Sequence, residues 1–286
     1  MTKVSVVIPT HNRPERLANA IRSVLAQTEK DFEVLVIDDG SPDEGAAHVV
    51  RACRDARVSY IRLPVSQGPG AARNAGVTRA SAPYVAFLDD DDEWLPEKLQ
   101  VQLAVLERSE PSVGGVYTAR ITVDEVSGRT VITRFRGEKF DPTRSGNLID
   151  TSSVLMRRGC FDVVGLFDEE LLASQDYDLW MRVGEVFELR YVDQPLIKYF
   201  KHHSYRITND YARKARAQEL FLAKHRRFFD ANRHRHCLEY VSLGLRYRRL
   251  GDRTKAWKAL RRAMWLWPFE PRVYWAFMKP LRAQPR

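Results

Sequence analysis

Four consecutive aspartates, Asp89-Asp90-Asp91-Asp92, followed by Glu93 and Trp94, are the residues of this chain best suited to chemistry. Adjacent carboxylates repel one another. A hard divalent cation such as Mg²⁺ or Mn²⁺ relieves that repulsion, because it takes oxygen ligands and keeps coordination positions for substrate phosphates. A solvated acidic loop is the other reading of the same run, and position weighs between them. The acids follow Tyr84-Val85-Ala86-Phe87-Leu88, an apolar run of buried-strand type, and precede Pro96, which can open a helix at its first turn. They therefore fall at the carboxyl end of a strand, where open α/β sheets bind their ligands.

The preceding residues repeat this arrangement. Val4 to Pro9 is a β-branched run that ends in Thr10-His11-Asn12-Arg13-Pro14, and a helix with Leu17, Ala20, Ile21, Val24 and Leu25 at helical spacing follows. Phe32 to Ile37 forms a second strand ending in Asp38-Asp39-Gly40-Ser41, with a helix to about Asp55. A third strand, Val58 to Leu63, leads to the glycine-rich stretch Gly68 to Gly76, which carries Arg73 and Asn74. Alternating strands and helices at this spacing predict a mostly parallel sheet covered on both faces. Asn, Asp, Gly and Ser are ordinary turn and capping residues, so each cluster alone has a purely structural reading. Clusters at successive parallel strand ends, however, converge on one crevice. The glycine-rich stretch could cradle a phosphate, but it is neither a dinucleotide fingerprint nor a P-loop, because no G-x-G-x-x-G follows the first strand and the lysine is missing.

Val4 to Arg13, Val36 to Ser41, Gly70 to Gly76 and Phe87 to Trp94 look like the successive motifs of family 2 glycosyltransferases, and their order and spacing match over roughly the first 200 residues. The resemblance implies an α/β, GT-A fold over residues 1–205, Rossmann-like with a mostly parallel sheet, and leaves residues 206–286 as a helical extension. It also implies an inverting enzyme that moves a sugar from a nucleoside diphosphate, by default uridine diphosphate, to a hydroxyl acceptor in polysaccharide, glycolipid or glycoprotein synthesis. In that frame Asp39 accepts a hydrogen bond from the nucleobase in a pocket lined by Pro9, Thr10 and His11, and Arg73 sits by the nucleotide. Asp89 and Asp90 reach ribose or metal, and Asp91 holds Mn²⁺ or Mg²⁺. Trp94, Trp180 and Thr151-Ser152-Ser153 border the sugar or acceptor pocket, although both tryptophans also suit a core.

Further along, Thr122 to Lys139 reads as a hairpin or loop, and Thr151 to Met156 and Pro195 to Phe200 read as strands. Ser174-Gln175-Asp176-Tyr177-Asp178 begins a helix marked by Leu179, Trp180 and Val183. By resemblance Asp176 is the catalytic base, with Gln175 where the family commonly has glutamate; both Asp176 and Asp178 also suit a helix N-terminus as acids favoured by the dipole. The chemistry is consistent with a single base. An inverting transfer needs one carboxylate to take the acceptor's proton, and a metal can stabilise the leaving diphosphate, so no protonated acid is required. A glycosidase would need two carboxylates flanking the bond. After the last strand His202 is a candidate metal or phosphate contact by resemblance, with Lys201 and Arg206 as alternatives and a surface basic turn as the other reading.

Charge divides the chain: residues 1–200 hold 24 Lys and Arg against 31 Asp and Glu, residues 201–286 hold 22 against 6. Such a basic tail predicts an anionic partner, a phospholipid surface or a nucleic acid, and the absence of any nucleic-acid motif ranks the second well below the first. Within the tail Tyr240, Leu243, Gly244, Tyr247, Ala256, Leu260, Ala263 and Pro268 fall on the positions of one tetratricopeptide-like repeat. A single repeat must pack on something: the helix containing Phe221 and Phe228, the catalytic domain, or a second copy in a homo-oligomer. Seven aromatics, Trp257, Trp265, Trp267, Phe269, Tyr274, Trp275 and Phe277, are interspersed with cations. About two thirds of these are expected in the core, and the remainder on a surface resting on anionic lipid, which would suit a lipid-linked acceptor.

At 44% hydrophobic and 29% charged residues the composition is that of globular material, long enough to bury a sizeable core. No charged-then-apolar leader opens the chain and no apolar run approaches a membrane span. Cys53, Cys160 and Cys237 lie far apart, against a disulfide framework or zinc site and in keeping with a reducing cytoplasm, with peripheral attachment to the inner membrane face as the refinement. Two rival readings remain. A sugar nucleotidyltransferase would need a glycine-rich loop with Arg and Lys after the first strand, which Thr10 to Pro14 does not supply; a catalytically weak nucleotide-binding scaffold is kept open by Gln175.

Overall fold

The computed structural model describes residues 2–135, 137–143, 149–201 and 210–278. The chain forms two compact units, the first made of Met1–Pro142, Asn147–Glu169 and Gln175–His203, the second of Thr143–Gly146, Glu170–Ser174 and Ser204–Arg286.

In the first unit the β-branched run becomes β1 (Val4–Thr10), every residue of which is buried, as a strand covered on both faces requires. Pro14 opens α1 (Pro14–Leu25), whose Leu17, Ala20, Ile21 and Val24 form the buried stripe. There follow β2 (Phe32–Asp38), α2 (Gly45–Cys53), β3 (Val58–Arg62), α3 (Pro69–Arg79) and β4 (Tyr84–Phe87). β1 pairs in parallel with both β2 and β4, and β2 in parallel with β3. Side chains alternate between two cores. Val6, Ile8, Val34 and Val36 face α1 and α4 (Lys98–Glu107), whereas Val7, Leu35, Ile37 and Phe87 face the layer holding Phe161, Phe167 and Trp180. α3 lies so close to β1 that a Cβ on Gly76 would stand 2.3 Å from Val7 Cγ1.

The rest of this unit is β5 (Asp92–Trp94), β6 (Val113–Asp124), β7 (Thr130–Thr133), a 3-10 turn (Thr151–Ser153), β8 (Leu155–Arg157), α5 (Gly159–Val164), α6 (Gln175–Val186) and β9 (Glu188–Lys201). The sheet runs β3-β2-β1-β4-β8-β6-β9-β5, with β7 on β6. The expectation of a mostly parallel sheet holds for its first four strands. Beyond β4 the pairing is mixed: β8 is antiparallel to β4 and β6, β5 is antiparallel to β9, and only β6 and β9 run parallel.

Three local expectations are corrected. Thr151 to Ser153 is a 3-10 turn, not the start of a strand, because the Ser153 N–H closes onto the Asp150 carbonyl at 2.9 Å. The run after Asp91 turns back as β5 to pair with β9, and the next helix opens at Lys98 rather than at Pro96. The strand read at Pro195 to Phe200 is the second half of the 14-residue β9.

The second unit is helical: α7 (Tyr211–Lys224), α8 (Arg226–Ala231), α9 (Arg233–Arg249), α10 (Arg253–Leu266) and α11 (Pro271–Met278). α9 and α10 make the hairpin of the expected repeat, turning at Gly251 with φ +77° and capped by Asp252, which accepts from the Lys255 N–H. Leu243, Gly244, Tyr247, Ala256, Leu260 and Ala263 are its buried seam, and a Cβ on Gly244 would lie 2.7 Å from Leu260 Cγ. The single helix expected to carry Phe221 and Phe228 is two, broken at His225; Phe221 packs edge-on against the fully buried Phe229 at 5.7 Å. The aromatic expectation fails more broadly. Trp257, Trp265, Trp267, Phe269, Tyr274 and Trp275 are all exposed, Phe269 to 85% and Trp265 to 62%, because the small residues Ala256, Ala259 and Ala263 take the packed face of α10.

Candidate active site

After β3 the chain crosses to the other side of β1 to form β4, so the carboxyl ends of β1 and β4 flank the point where strand order reverses, the place where such sheets open a ligand crevice. The two strand ends are tied there. Thr10 Oγ1 donates to Asp90 Oδ2 at 2.7 Å, and Arg13 Nη1 donates to Asp90 Oδ1 at 3.3 Å and Asp91 Oδ2 at 3.2 Å. Pro9 and Thr10 are buried, while the exposed His11 holds the Asp39 carbonyl through Nδ1 at 2.8 Å.

The two acids that end β2 have separate tasks. Asp38 is fully buried and accepts from the Ser41 N–H, the Ser41 hydroxyl and the Tyr60 hydroxyl, which fixes the turn. Asp39 accepts from Ser66 Oγ, the Gln67 N–H and the Gly68 N–H, each at 2.8 Å, and so shapes the loop entering α3. That takes three of a carboxylate's roughly four acceptor positions. Gly40, at φ +66°, must be glycine as well, because a Cβ would lie 2.6 Å from the Ser66 nitrogen.

Each carboxylate of the acid run is held differently. Asp89 pairs with Arg73, whose guanidinium also lies over the Phe167 ring at 5.5 Å. Burial raises the Asp90 carboxyl to about 6, against the pull of Thr10 and Arg13. Asp92 is pushed well above the carboxylate range, first by burial and then by Asp91 and Asp89. Its Oδ2 accepts from Ser152 Oγ at 2.7 Å, while its Oδ1 is buried with no hydrogen-bond partner among the described residues. Ser152 Oγ also accepts the Asp89 N–H at 3.1 Å, so the 3-10 turn spans the acid run. A cleft lined by Arg16, Asn19, Asp91, Glu125 and Phe200 opens beside it, walled by a paired contact of Arg16 with Glu125 at 3.0 Å.

Asp176 stands in the first turn of α6, with its Oδ1 accepting the Tyr177 N–H at 2.8 Å. Asp178 is fully buried against Arg182, which also holds the carbonyls of Val164 and Leu166; its role is structural. Gln175 is packed so closely on Gly70 that a Cβ there would meet its amide at 2.7 Å. Trp94 and Trp180 are both core, and their indole N–H groups donate to the carbonyls of Ser152 and Ile149.

Among the described residues no three acidic, imidazole or thiol groups are gathered as a metal cage. The donor set nevertheless suits a hard cation that takes one or two carboxylates and completes its shell with substrate phosphates: Asp91 lies at the cleft, and Arg13 already occupies the cationic position beside it. His202 and Arg206 lie outside the described residues.

The model of the family described as Glycosyl transferase family 2 matches residues 5–163, which include every acid from Asp38 to Asp150 described above. The chain belongs to glycosyl transferase family 2. A glycosyltransferase of Rickettsia conorii is 32% identical over 69% of this family 2 chain, which spans only about a third, 32%, of that relative's length. The amylovoran biosynthesis glycosyltransferase AmsB of Erwinia amylovora is 29% identical over 68% of each chain. The crystal structure of S. aureus TarS 1-349 in complex with UDP-GlcNAc superposes with a TM-score of 0.68, at 19% identity, over 95% of this chain and 82% of that one, which establishes the GT-A fold of this family 2 member.

The sequence reading missed Asp150 and its partner Arg120, Arg13 as the cation on the acid run, and Ser152 as its clasp. Ser152 had a signal as part of Thr151-Ser152-Ser153 and Arg13 as part of the motif Val4 to Arg13; Asp150 and Arg120 depend on a contact between distant parts of the chain.

Proposed function

We propose that this glycosyltransferase is inverting and metal-dependent, and that it transfers a sugar from a uridine diphosphate donor to a hydroxyl acceptor in polysaccharide or glycolipid synthesis. The observation that carries this reading is the clasp of Thr10 on Asp90 at the strand-order switch, which presents Asp91 at an open cleft in the unit that also holds Asp176. Asp39, with Pro9, Thr10 and His11, receives the nucleobase, Arg73 and Asp89 the ribose and diphosphate, and Asp91 the Mn²⁺ or Mg²⁺. When bound, the ion offsets charge developing on the departing diphosphate. Asp176 takes the acceptor hydroxyl's proton as its oxygen forms the bond to the anomeric carbon and the bond to the diphosphate breaks on the opposite face. The uridine donor is supported by the UDP-GlcNAc complex of TarS, and the polysaccharide product by the amylovoran role of AmsB.

The second unit supports a location. Its exposed aromatics sit beside cations, with the Arg262 guanidinium 4.5 Å and that of Arg233 5.3 Å from the Trp265 ring. Tryptophan and arginine together suit the headgroup level of an anionic bilayer. Among the described residues no helix is long and apolar enough to cross a membrane. The enzyme is therefore proposed to work peripherally on the cytoplasmic face, next to a lipid-linked acceptor.

The test is a melting-temperature panel of uridine, thymidine and guanosine diphosphates, with and without Mn²⁺, on wild type and Asp91→Ala. A ligand at about 100 times its dissociation constant adds roughly 2.7 kcal/mol, which is readily seen. Stabilisation by one nucleotide only with metal, lost in Asp91→Ala, is the expected result. No shift with any nucleotide overturns the donor site; binding without sugar turnover favours the scaffold reading.

A further inference from the structure

Asp150 lies outside the motifs that carry the family resemblance, yet it stands between the two halves of the site. On one side Ile149 accepts the indole N–H of Trp180, in the helix that Asp176 opens. On the other, Ser152 holds the Asp89 N–H and the Asp92 carboxylate. Burial raises the Asp150 carboxyl to about 6, against the pull of Arg120, and the charges of Asp176 and Asp89 raise it further.

Its own environment is unfinished. Arg120, from β6, pairs with Oδ1 and stacks over the Tyr199 ring at 5.0 Å, so the pair is held from two strands. Oδ2 of Asp150 and Nε of Arg120 are both buried with no hydrogen-bond partner among the described residues. A buried carboxylate oxygen without a donor costs free energy, and native proteins keep few of them. The side chain as a whole retains 19% of its surface, whereas Oδ2 itself is buried, so only a donor seated directly against it can complete its bonding.

The group that must lie between a diphosphate at Asp89 to Asp91 and a base at Asp176 is the transferred sugar, because its anomeric carbon is attacked from the side opposite the diphosphate. We infer that the Asp150 carboxylate, oriented by Arg120, accepts a hydrogen bond from a hydroxyl or amide of the donor sugar and thereby selects which sugar is transferred. This rests on the donor-site reading proposed above. A site built to hydrogen-bond one polar group rejects analogues that lack it far more strongly than a hydrophobic pocket rejects a missing methylene. Asp150 is thus a specificity-determining residue, whereas Asp176 is the base.

The experiment compares the affinity of full-length wild type, Asp150→Asn and Asp150→Ser for uridine diphosphate alone and for a set of its hexose and N-acetylhexosamine conjugates, by calorimetry with Mn²⁺ present. Melting curves select variants that keep the wild-type fold. The expected result is unchanged affinity for uridine diphosphate in both variants, with the preference of wild type for one sugar conjugate over its epimers reduced about tenfold or more. Sugar preference that survives intact in a folded variant overturns the role of Asp150 and leaves the donor site standing. Failure of wild type to bind any of these ligands overturns both.

Discussion

The Lys98 Nζ lies 3.9 Å from the centre of the Trp94 ring and donates to Gln102 Oε1 at 2.7 Å, with no part of the side chain exposed. Gln102 in turn donates to the carbonyls of Ser153 and Val116, and Trp94 to that of Ser152. A buried amino group thus backs the turn that clasps the acid run. Burial lowers the Lys98 pKa well below the lysine range, so the unfolded chain holds its proton to higher pH than the native one. Stability therefore rises with pH up to the ordinary lysine range. Urea denaturation at about pH 7 and about pH 9.5 should show this rise in wild type and a flatter profile in Lys98→Met, which has no proton to lose.

Ser152→Ala removes a donor from the buried Asp92 carboxylate and an acceptor from the Asp89 N–H. The expected loss is about 1–3 kcal/mol in denaturant unfolding, since a buried polar group is left without its partner. Diphosphate affinity should fall as well, whereas a Ser152→Thr variant that keeps the hydroxyl should retain most of it.

Gly76→Ala places a methyl group on Val7, in the middle of β1. Overpacking of this kind costs about 1–3 kcal/mol, and the branched Val7 side chain it meets is stiff at χ1, so melting should fall by several degrees or soluble expression should be lost. Gly128→Ala, with nothing near its Cβ but a φ of +68°, should cost less.

Asp176→Asn removes the proposed base without changing side-chain size. Sugar transfer should drop about 10²–10⁴-fold in kcat, while the melting shift with nucleotide and Mn²⁺ stays as in wild type. Loss of both together would assign Asp176 to donor binding instead.

In the helical unit, hydrogen bonding to Arg272, helped by His234, holds Glu270 down to about 2. A carboxylate depressed in the native state adds stability above its unfolded pKa, which is lost as pH falls through the native value. Far-ultraviolet melting between about pH 5 and pH 2 should therefore show a loss of helix stability that Glu270→Gln reduces.

The strands, helices and acids of the first half were legible because parallel βα units write their pattern locally: apolar runs for strands buried on both faces, a periodic stripe for α1, and polar residues at the strand ends. The same locality made the clusters at the ends of β1, β2 and β4 readable as neighbours, whereas Arg73 and Asn74 lie inside α3 rather than at the end of β3. The antiparallel half was not legible in this way. β5 forms only because β9 is there to pair with it, and the residues it pairs with lie just over a hundred positions further along the chain. A few residues of strand stabilised by a distant partner carry little signal of their own.

Residue types and order along the chain determined the family, the sheet's first half and the position of the acid run. Tertiary structure alone decided which charges meet: Arg13 on Asp90 and Asp91, Arg73 on Asp89, Arg120 on Asp150. It also decided that the tail's aromatics face outward, because a helix with two faces that could each be buried keeps only the one its neighbours fit, and small residues allowed the closer approach. Local sequence specifies φ and ψ preferences and periodicity over a few turns, whereas electrostatic pairing and side-chain burial depend on distances that exist only once strands from opposite ends of the unit lie about 5 Å apart.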